Sequence, residues 1–311
     1  MIEALLFLAL GLILLLLGSN LLVSSTERFS NTFSISGFIA SFFMIGIATS
    51  APEIFISIES ALLEQTTLAI GNAIGSNLAN IALVFAVSTF AISKKGDTIS
   101  LPVNAFVGMM SLTISVFLLI LFDGYFNFID SLVLIFLFIG ILFALDKSGI
   151  CEDSHPVKYN IKYNLFKIIF SLLIGIILLI YGSDFFIYGA TQIALFFGIS
   201  SYIIGLTLTA LGTSLPELAA SIESARKGRS DFIVGNIIGS NIFNIAIALS
   251  IAGLISGTVV DTVEYTRDII VLFLASGVFY MIIKSDKFFI KTVYSGLLVI
   301  TYLVYVFFIL R

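Results

Sequence analysis

The chain has 311 residues, of which 59% are hydrophobic and only 11% charged, with a formal net charge of −4. An ordinary soluble domain carries about 25% charged residues, so this composition excludes a soluble enzyme, a disordered chain and a basic nucleic-acid surface, and points to an integral membrane protein surrounded by the lipid bilayer. One cysteine and one histidine exclude an internal disulfide and any intramembrane site built on paired histidines.

A helix crossing the hydrocarbon core needs about 20 apolar residues. Such runs lie near 2–24, 36–62, 68–92, 102–122, 127–145, 165–189, 199–225, 231–256, 269–283 and 288–310. They are about twice the length of a barrel strand and apolar on every side, so ten helices are expected rather than a β-barrel. The first run has no positive flank and no small-residue cleavage site, and reads as a span rather than a signal peptide. Thirteen of the fifteen Lys and Arg residues fall in alternate connections, from Arg28 to Lys291, leaving Arg267 and Arg311 on the other side. The positive-inside rule then puts both termini outside. The polar stretch 147–163, with Cys151 and His155, reads as a solvated cytoplasmic linker, too short to hold a calcium-sensing domain.

The chain repeats itself at an offset of 164. GIATSAPEIFISIESA from Gly46 aligns with ALGTSLPELAASIESA from Ala210, and GNAIGSNLANIA from Gly71 with GNIIGSNIFNIA from Gly235. Between 46–86 and 210–250 there are 18 identities in 41 positions, without a gap. GLILLLLGSN from Gly11 matches GIILLIYGSD from Gly175. Two halves of five spans, 1–146 and 164–311, account for this, and an odd number inverts the second half in the membrane. Inverted repeats typify secondary transporters, whose sites lie near the midplane on interrupted helices.

The repeated segments concentrate polar chemistry. Pro52 and Pro216 interrupt spans 2 and 7 and are expected to free carbonyls near Gly46–Ala48 and Ala210–Gly212, for which a cation is one possible partner. Thr49, Ser50 and Glu53 share a face at spacings of three and four, as do Thr213, Ser214 and Glu217. An ionised carboxylate at mid-span costs at least about 2.5–3.5 kcal/mol, and two at symmetric positions repel unless a cation or proton lies between them. Asn72, Ser76 and Asn80 line one face of span 3, and Asn236, Ser240 and Asn244 repeat it. The Gly71/Gly75 and Gly235/Gly239 pairs permit close helix approach. All these donors are oxygens, two of them carboxylates, which suits Ca²⁺ with six to eight oxygen ligands, or two Na⁺, and not Zn²⁺. No cofactor and no catalytic residue is expected, and the ions are cargo. Glu59 and Glu223 read as interfacial, Glu223 pairing with Arg226. Asp184 and its mate Asn20 read as packing or interfacial residues.

The paired G-T-S-x-P-E and G-N-x-x-G-S-N stretches resemble the α-repeats of the sodium/calcium exchanger family, within the cation/calcium antiporter superfamily. The resemblance implies a ten-span antiporter, not an enzyme, exchanging Na⁺ for Ca²⁺ by alternating access in a prokaryotic plasma membrane. It assigns Glu53 and Glu217 as carboxylates shared by both ions, with Asn80 and Asn244 at the centre. Thr49, Ser50, Thr213, Ser214, Ser76 and Ser240 would serve flanking sites, together with the carbonyls of Gly46 and Ala210. Asn at both central amides implies K⁺ independence, and Gly75 and Gly239 stand where proton-coupled relatives carry Glu. One motif departs from the pattern, with Ala48 where the other has Gly212. Two alternatives remain at this point: Ca²⁺/H⁺ exchange on the same scaffold, and a passive cation channel.

Overall fold

The computed structural model describes residues 1–92, 102–147, 164–198, 212–285 and 287–309. Among the described residues, eight helices are long and apolar enough to cross a membrane, and a further crossing is a pair of helices bent by 45°. In the first half these are α1 (Ile2–Phe33), the bent pair α2 (Gly37–Thr49) and α3 (Ala51–Leu62), and α4 (Thr66–Ala79), which continues through a π-helical segment (Asn80–Phe85) into α5 (Ala86–Ala91). Then come α6 (Val103–Asp123) and α7 (Phe128–Lys147). The second half runs α8 (Leu165–Phe196), α9 (Leu215–Arg226), and α10 (Ser230–Phe243), which passes through a second π-helical segment (Asn244–Leu249) into α11 (Ser250–Ile255). It ends with α12 (Thr262–Lys284) and α13 (Phe288–Ile309).

Nine of the ten expected crossings are therefore seen among the described residues. Of the tenth, expected at 199–225, only α9 and the turn before it lie within the described residues, and the linker with Cys151 and His155 lies outside them. Three helices outrun the apolar windows that announced them. α1 reaches Phe33, where Ser34 turns into the left-handed region at φ 54, and α8 reaches Phe196. α12 starts at Thr262 instead of near 269, because the Asp261 carboxylate accepts from the Val263 and Glu264 amides and caps the helix inside a polar stretch.

The inverted relation between the halves is visible where α1 meets α8. The two run antiparallel, Ala4 beside Gly189, Gly11 beside Gly182 and Gly18 beside Gly175. A Cβ on Gly18 would stand 2.9 Å from the Gly175 carbonyl oxygen, and one on Gly182 would stand 2.8 Å from the Leu15 amide nitrogen. Backbone meets backbone along this seam, the close approach that small residues allow between membrane helices. At the end of α1, Lys227 Nζ donates to Ser24 Oγ at 2.5 Å and Arg229 Nη1 lies 3.2 Å from Glu27 Oε1. The α9–α10 turn thus sits on the same side as the α1–α2 connection, as the charge pattern requires. A short antiparallel pair, β1 (Tyr125–Phe126) with β2 (Thr258–Val259), joins two connections expected on the opposite side.

The helices carrying the repeated motifs form the centre. Their apolar windows are 78% buried in the α4–α5 crossing and 83% in the α10–α11 crossing, against 22% in α8. A large side chain in the α1–α8 seam has no route to relax, and overpacking costs about 1–3 kcal/mol. Gly18→Leu is therefore expected to lower the melting temperature of the purified protein by several degrees, whereas Leu17→Ala, on the exposed side of α1, leaves it nearly unchanged.

Candidate cation site

The site begins at the starts of two helices, α3 and α9. Pro52 and Pro216 occupy the first turns of α3 and α9, where a missing N–H is harmless. Two residues before each proline stands a serine outside regular helix. Ser50 (φ −80, ψ 2) and Ser214 (φ −88, ψ 3) adopt the same non-helical conformation in both repeats. Each break puts a glutamate, Glu53 or Glu217, in the first turn of a helix, where the positive end of the dipole favours a negative charge. The expectation of freed carbonyls is corrected at one position: Gly46 O accepts from the Ser50 amide at 3.2 Å, and from Ser240 Oγ at 3.4 Å.

Glu53 and Glu217 are both completely buried, and near enough for one charge to act on the other. The hydroxyls of Thr213 and Ser76 flank Glu53, and those of Thr49 and Ser50 flank Glu217. None closes to hydrogen-bond geometry, so both oxygens of each carboxylate lack a partner among the described residues. Ser50 Oγ, Ser214 Oγ, Asn80 Oδ1 and Asn244 Oδ1 are buried and unpartnered in the same way. An unpaired buried carboxylate is strongly unfavourable, and a cluster of carboxylate, amide and hydroxyl oxygens with free lone pairs suits a hard cation.

Around this centre the remaining predicted residues are tied to one another. Thr49 Oγ1 donates to Asn236 Oδ1 at 3.2 Å and lies 3.4 Å from Ser240 Oγ, so a hydroxyl of the first repeat is held by the second. Asn236 Nδ2 donates to Glu217 O and to Ser221 Oγ, and Asn72 Nδ2 donates to Glu53 O. These two asparagines therefore brace the backbone of the glutamate helices. Gly235 and Gly239 sit against Phe38, Ser41 and Phe42 of α2, as their spacing predicted. For Gly71 and Gly75 no described atom lies within 4 Å of an added Cβ; the residues that the repeat pairs with 37–46 fall outside the described set. Ala210 does too.

Some expected symmetry is absent. Gly212 O accepts from Ser183 Oγ at 2.7 Å, a bond the first repeat does not share, since Ser19 turns back to Leu16 O. Glu223 is buried and paired with Arg226 at 3.3 Å and Lys227 at 3.6 Å, while Glu59 is exposed. Asp184 and Asn20 are exposed on their helices.

The sequence reading passed over two residues. Asn77 Nδ2 donates to Asn241 O at 3.0 Å and Asn241 Nδ2 to Asn77 O at 3.3 Å. Asn80 Nδ2 donates to Asn241 Oδ1 and Asn244 Nδ2 to Asn77 Oδ1, each at 3.1 Å. Both lie in the quoted motifs, but one residue off the Ser76 and Ser240 face. The signal was a repeated asparagine beside an already polar stripe. The π-helical segments that begin at Asn80 and Asn244 were not foreseen either; such insertions recur at functional sites.

Comparison with known proteins bears directly on this arrangement. The sodium/calcium exchanger protein family matches residues 3–145 and 167–311. The chain belongs to the sodium/calcium exchanger family. The exchanger is 36% identical over 278 residues to an uncharacterized membrane protein of Methanocaldococcus jannaschii, covering 89% of each chain. It is 27% identical over 289 residues to the sodium/calcium exchanger MaX1 of Methanosarcina acetivorans, covering 80% of this chain and 82% of that one. The solved structure of the sodium–calcium exchanger NCX_Mj, soaked with Na⁺ and Sr²⁺, superposes with a TM-score of 0.79 at 32% identity over 97% of both chains.

Ligand binding stabilises a folded protein by about 2.7 kcal/mol at 100 times Kd. Ca²⁺ is thus expected to raise the exchanger's melting temperature in detergent. The Glu53→Gln/Glu217→Gln variant should melt higher than the parent without Ca²⁺, since two buried charges are gone, and should show no Ca²⁺ shift.

Proposed function

We propose that this exchanger moves Na⁺ inward and Ca²⁺ outward through the site between α2–α3, α4, α9 and α10, and that its transport is electrogenic and independent of K⁺. The observation that carries this reading is the pair of fully buried carboxylates of Glu53 and Glu217, which have no partner among the described residues. Two negative charges balance one Ca²⁺ or two Na⁺, and a further Na⁺ in a flanking site would supply the extra charge of each cycle. In this reading Asn80 and Asn244 give carbonyl oxygens at the centre, and Ser50 and Ser214 give hydroxyls beside it. Thr49, Ser76, Thr213, Ser240 and the carbonyl of Ala210 make flanking Na⁺ sites.

Coupling follows from electrostatics. A filled site neutralises the carboxylates and allows the protein to rearrange around it. An empty one leaves two buried charges, and that state crosses between inward- and outward-facing forms with difficulty, which suppresses leak. The halves 1–146 and 164–311 act as the inverted repeats, joined by a cytoplasmic linker at 147–163, and the α1–α8 pair is the element that moves against the rest. Both termini face outside, in a prokaryotic plasma membrane. One extra charge per cycle is worth about 2.3 kcal/mol per 100 mV.

Proteoliposomes loaded with Na⁺ are expected to take up ⁴⁵Ca²⁺, faster when the potential favours exit of net positive charge, and without any need for K⁺. Glu53→Gln and Glu217→Gln should each abolish uptake. Uptake driven by a pH gradient alone would place the chain with proton-coupled exchangers, and uptake indifferent to every gradient would indicate a channel.

A further inference from the structure

We infer that Asn77 and Asn241 are positioning residues, which fix the orientation of the Asn80 and Asn244 amides so that both carbonyl oxygens, and neither NH₂ group, face the transported ion. This rests on the reading of the central site given above.

The argument is one of hydrogen-bond accounting. A side-chain amide has one acceptor and one donor end, and only the acceptor end serves a cation. Left to rotate, a central asparagine would present its NH₂ group to the ion part of the time. Here each NH₂ is committed: Asn80 Nδ2 to Asn241 Oδ1 and Asn244 Nδ2 to Asn77 Oδ1. That commitment holds only if Asn77 and Asn241 cannot themselves turn over, and they cannot do so cheaply. Each spends its own NH₂ on the other's backbone carbonyl. Turning Asn77 over would set its carbonyl against the Asn241 carbonyl and its NH₂ against the Asn244 NH₂. All four side chains are buried, so neither mismatch is relieved by water. The result is a closed ring across the two repeats, with Asn80 Oδ1 and Asn244 Oδ1 as the acceptor ends left over among the described residues.

The ring also restricts what the central positions tolerate. An aspartate replacing Asn244 would face Asn77 Oδ1 with a second acceptor. A carboxylate has no donor end to misdirect, however, so in that background Asn77 has nothing left to orient.

The test is a double-mutant cycle on Ca²⁺ half-saturation in proteoliposomes, using Asn77→Ala, Asn244→Asp and their combination. Residues that orient a ligand typically cost about 10–100-fold in metal affinity when removed. Asn77→Ala alone is expected to raise half-saturation by about 10-fold or more, and to change it less than about twofold, or lower it, in the Asn244→Asp background. An equal loss in both backgrounds would reduce Asn77 to packing and overturn the inference, as would no loss in the single variant. Where Asn77→Ala does not fold, the mirror cycle of Asn241→Ala with Asn80→Asp carries the same expectation. If Glu53→Gln and Asn244→Asp both leave half-saturation unchanged, the site reading itself falls, and the inference with it.

Discussion

Two carboxylates held in the middle of a membrane protein, with no hydrogen-bond partner among the described residues, set the terms for everything else in this fold. A structure does not keep Glu53 and Glu217 fully buried unless something of opposite charge visits them. Proline breaks bring each glutamate to the start of a helix. The most enclosed crossings, α4–α5 and α10–α11, wall the pair off from lipid. The central amides offer lone pairs, while their NH₂ groups are sent elsewhere. Removing the charges is expected to make the protein more stable, the usual exchange between stability and function at such sites.

The two repeats cooperate by crossing over instead of serving separate sites. Thr49 is held by Asn236, Glu53 is flanked by Thr213, and the Asn77–Asn241 pair is reciprocal. The pseudo-two-fold is nonetheless imperfect. Ser221 is tied to Asn236 where its mate Ser57 has no partner among the described residues, and Glu223 is locked in ion pairs where Glu59 is exposed. The two halves therefore do not exchange roles at equal energy, and the inward- and outward-facing forms need not be equally populated.

Much of this was legible in the sequence because the determining features are covalent and periodic. The offset of 164 located both glutamates, both prolines and the Asn and Ser stripes. The charge bias placed Arg229 and Lys227 on the side where they meet Glu27 and Ser24. Less visible were features that depend on how the halves meet. A helical-face argument groups Asn72, Ser76 and Asn80, but Asn72 turns to the Glu53 backbone. The ring partner is Asn77, since the neighbouring repeat approaches from that direction. Apolar windows also stopped short at Asp261–Asp268, because a capping carboxylate can start a helix in residues that hydropathy assigns to a loop. The carbonyl count was too generous for a related reason, as Gly46 O is claimed by the Ser50 amide just before the break.

The α1–α8 seam has a consequence that reaches beyond the protein. Each helix has 32 residues, which at 1.5 Å per residue is about 48 Å, against a hydrocarbon core of about 30 Å. Joined backbone to backbone, the two cannot shorten or slip independently, so they lean or protrude together. In the proposed motion the pair would change its hydrophobic span, and mismatch costs a fraction of a kcal/mol per Å. Bilayer thickness thereby enters the balance between facing states as a third variable, alongside the ion gradients and the membrane potential.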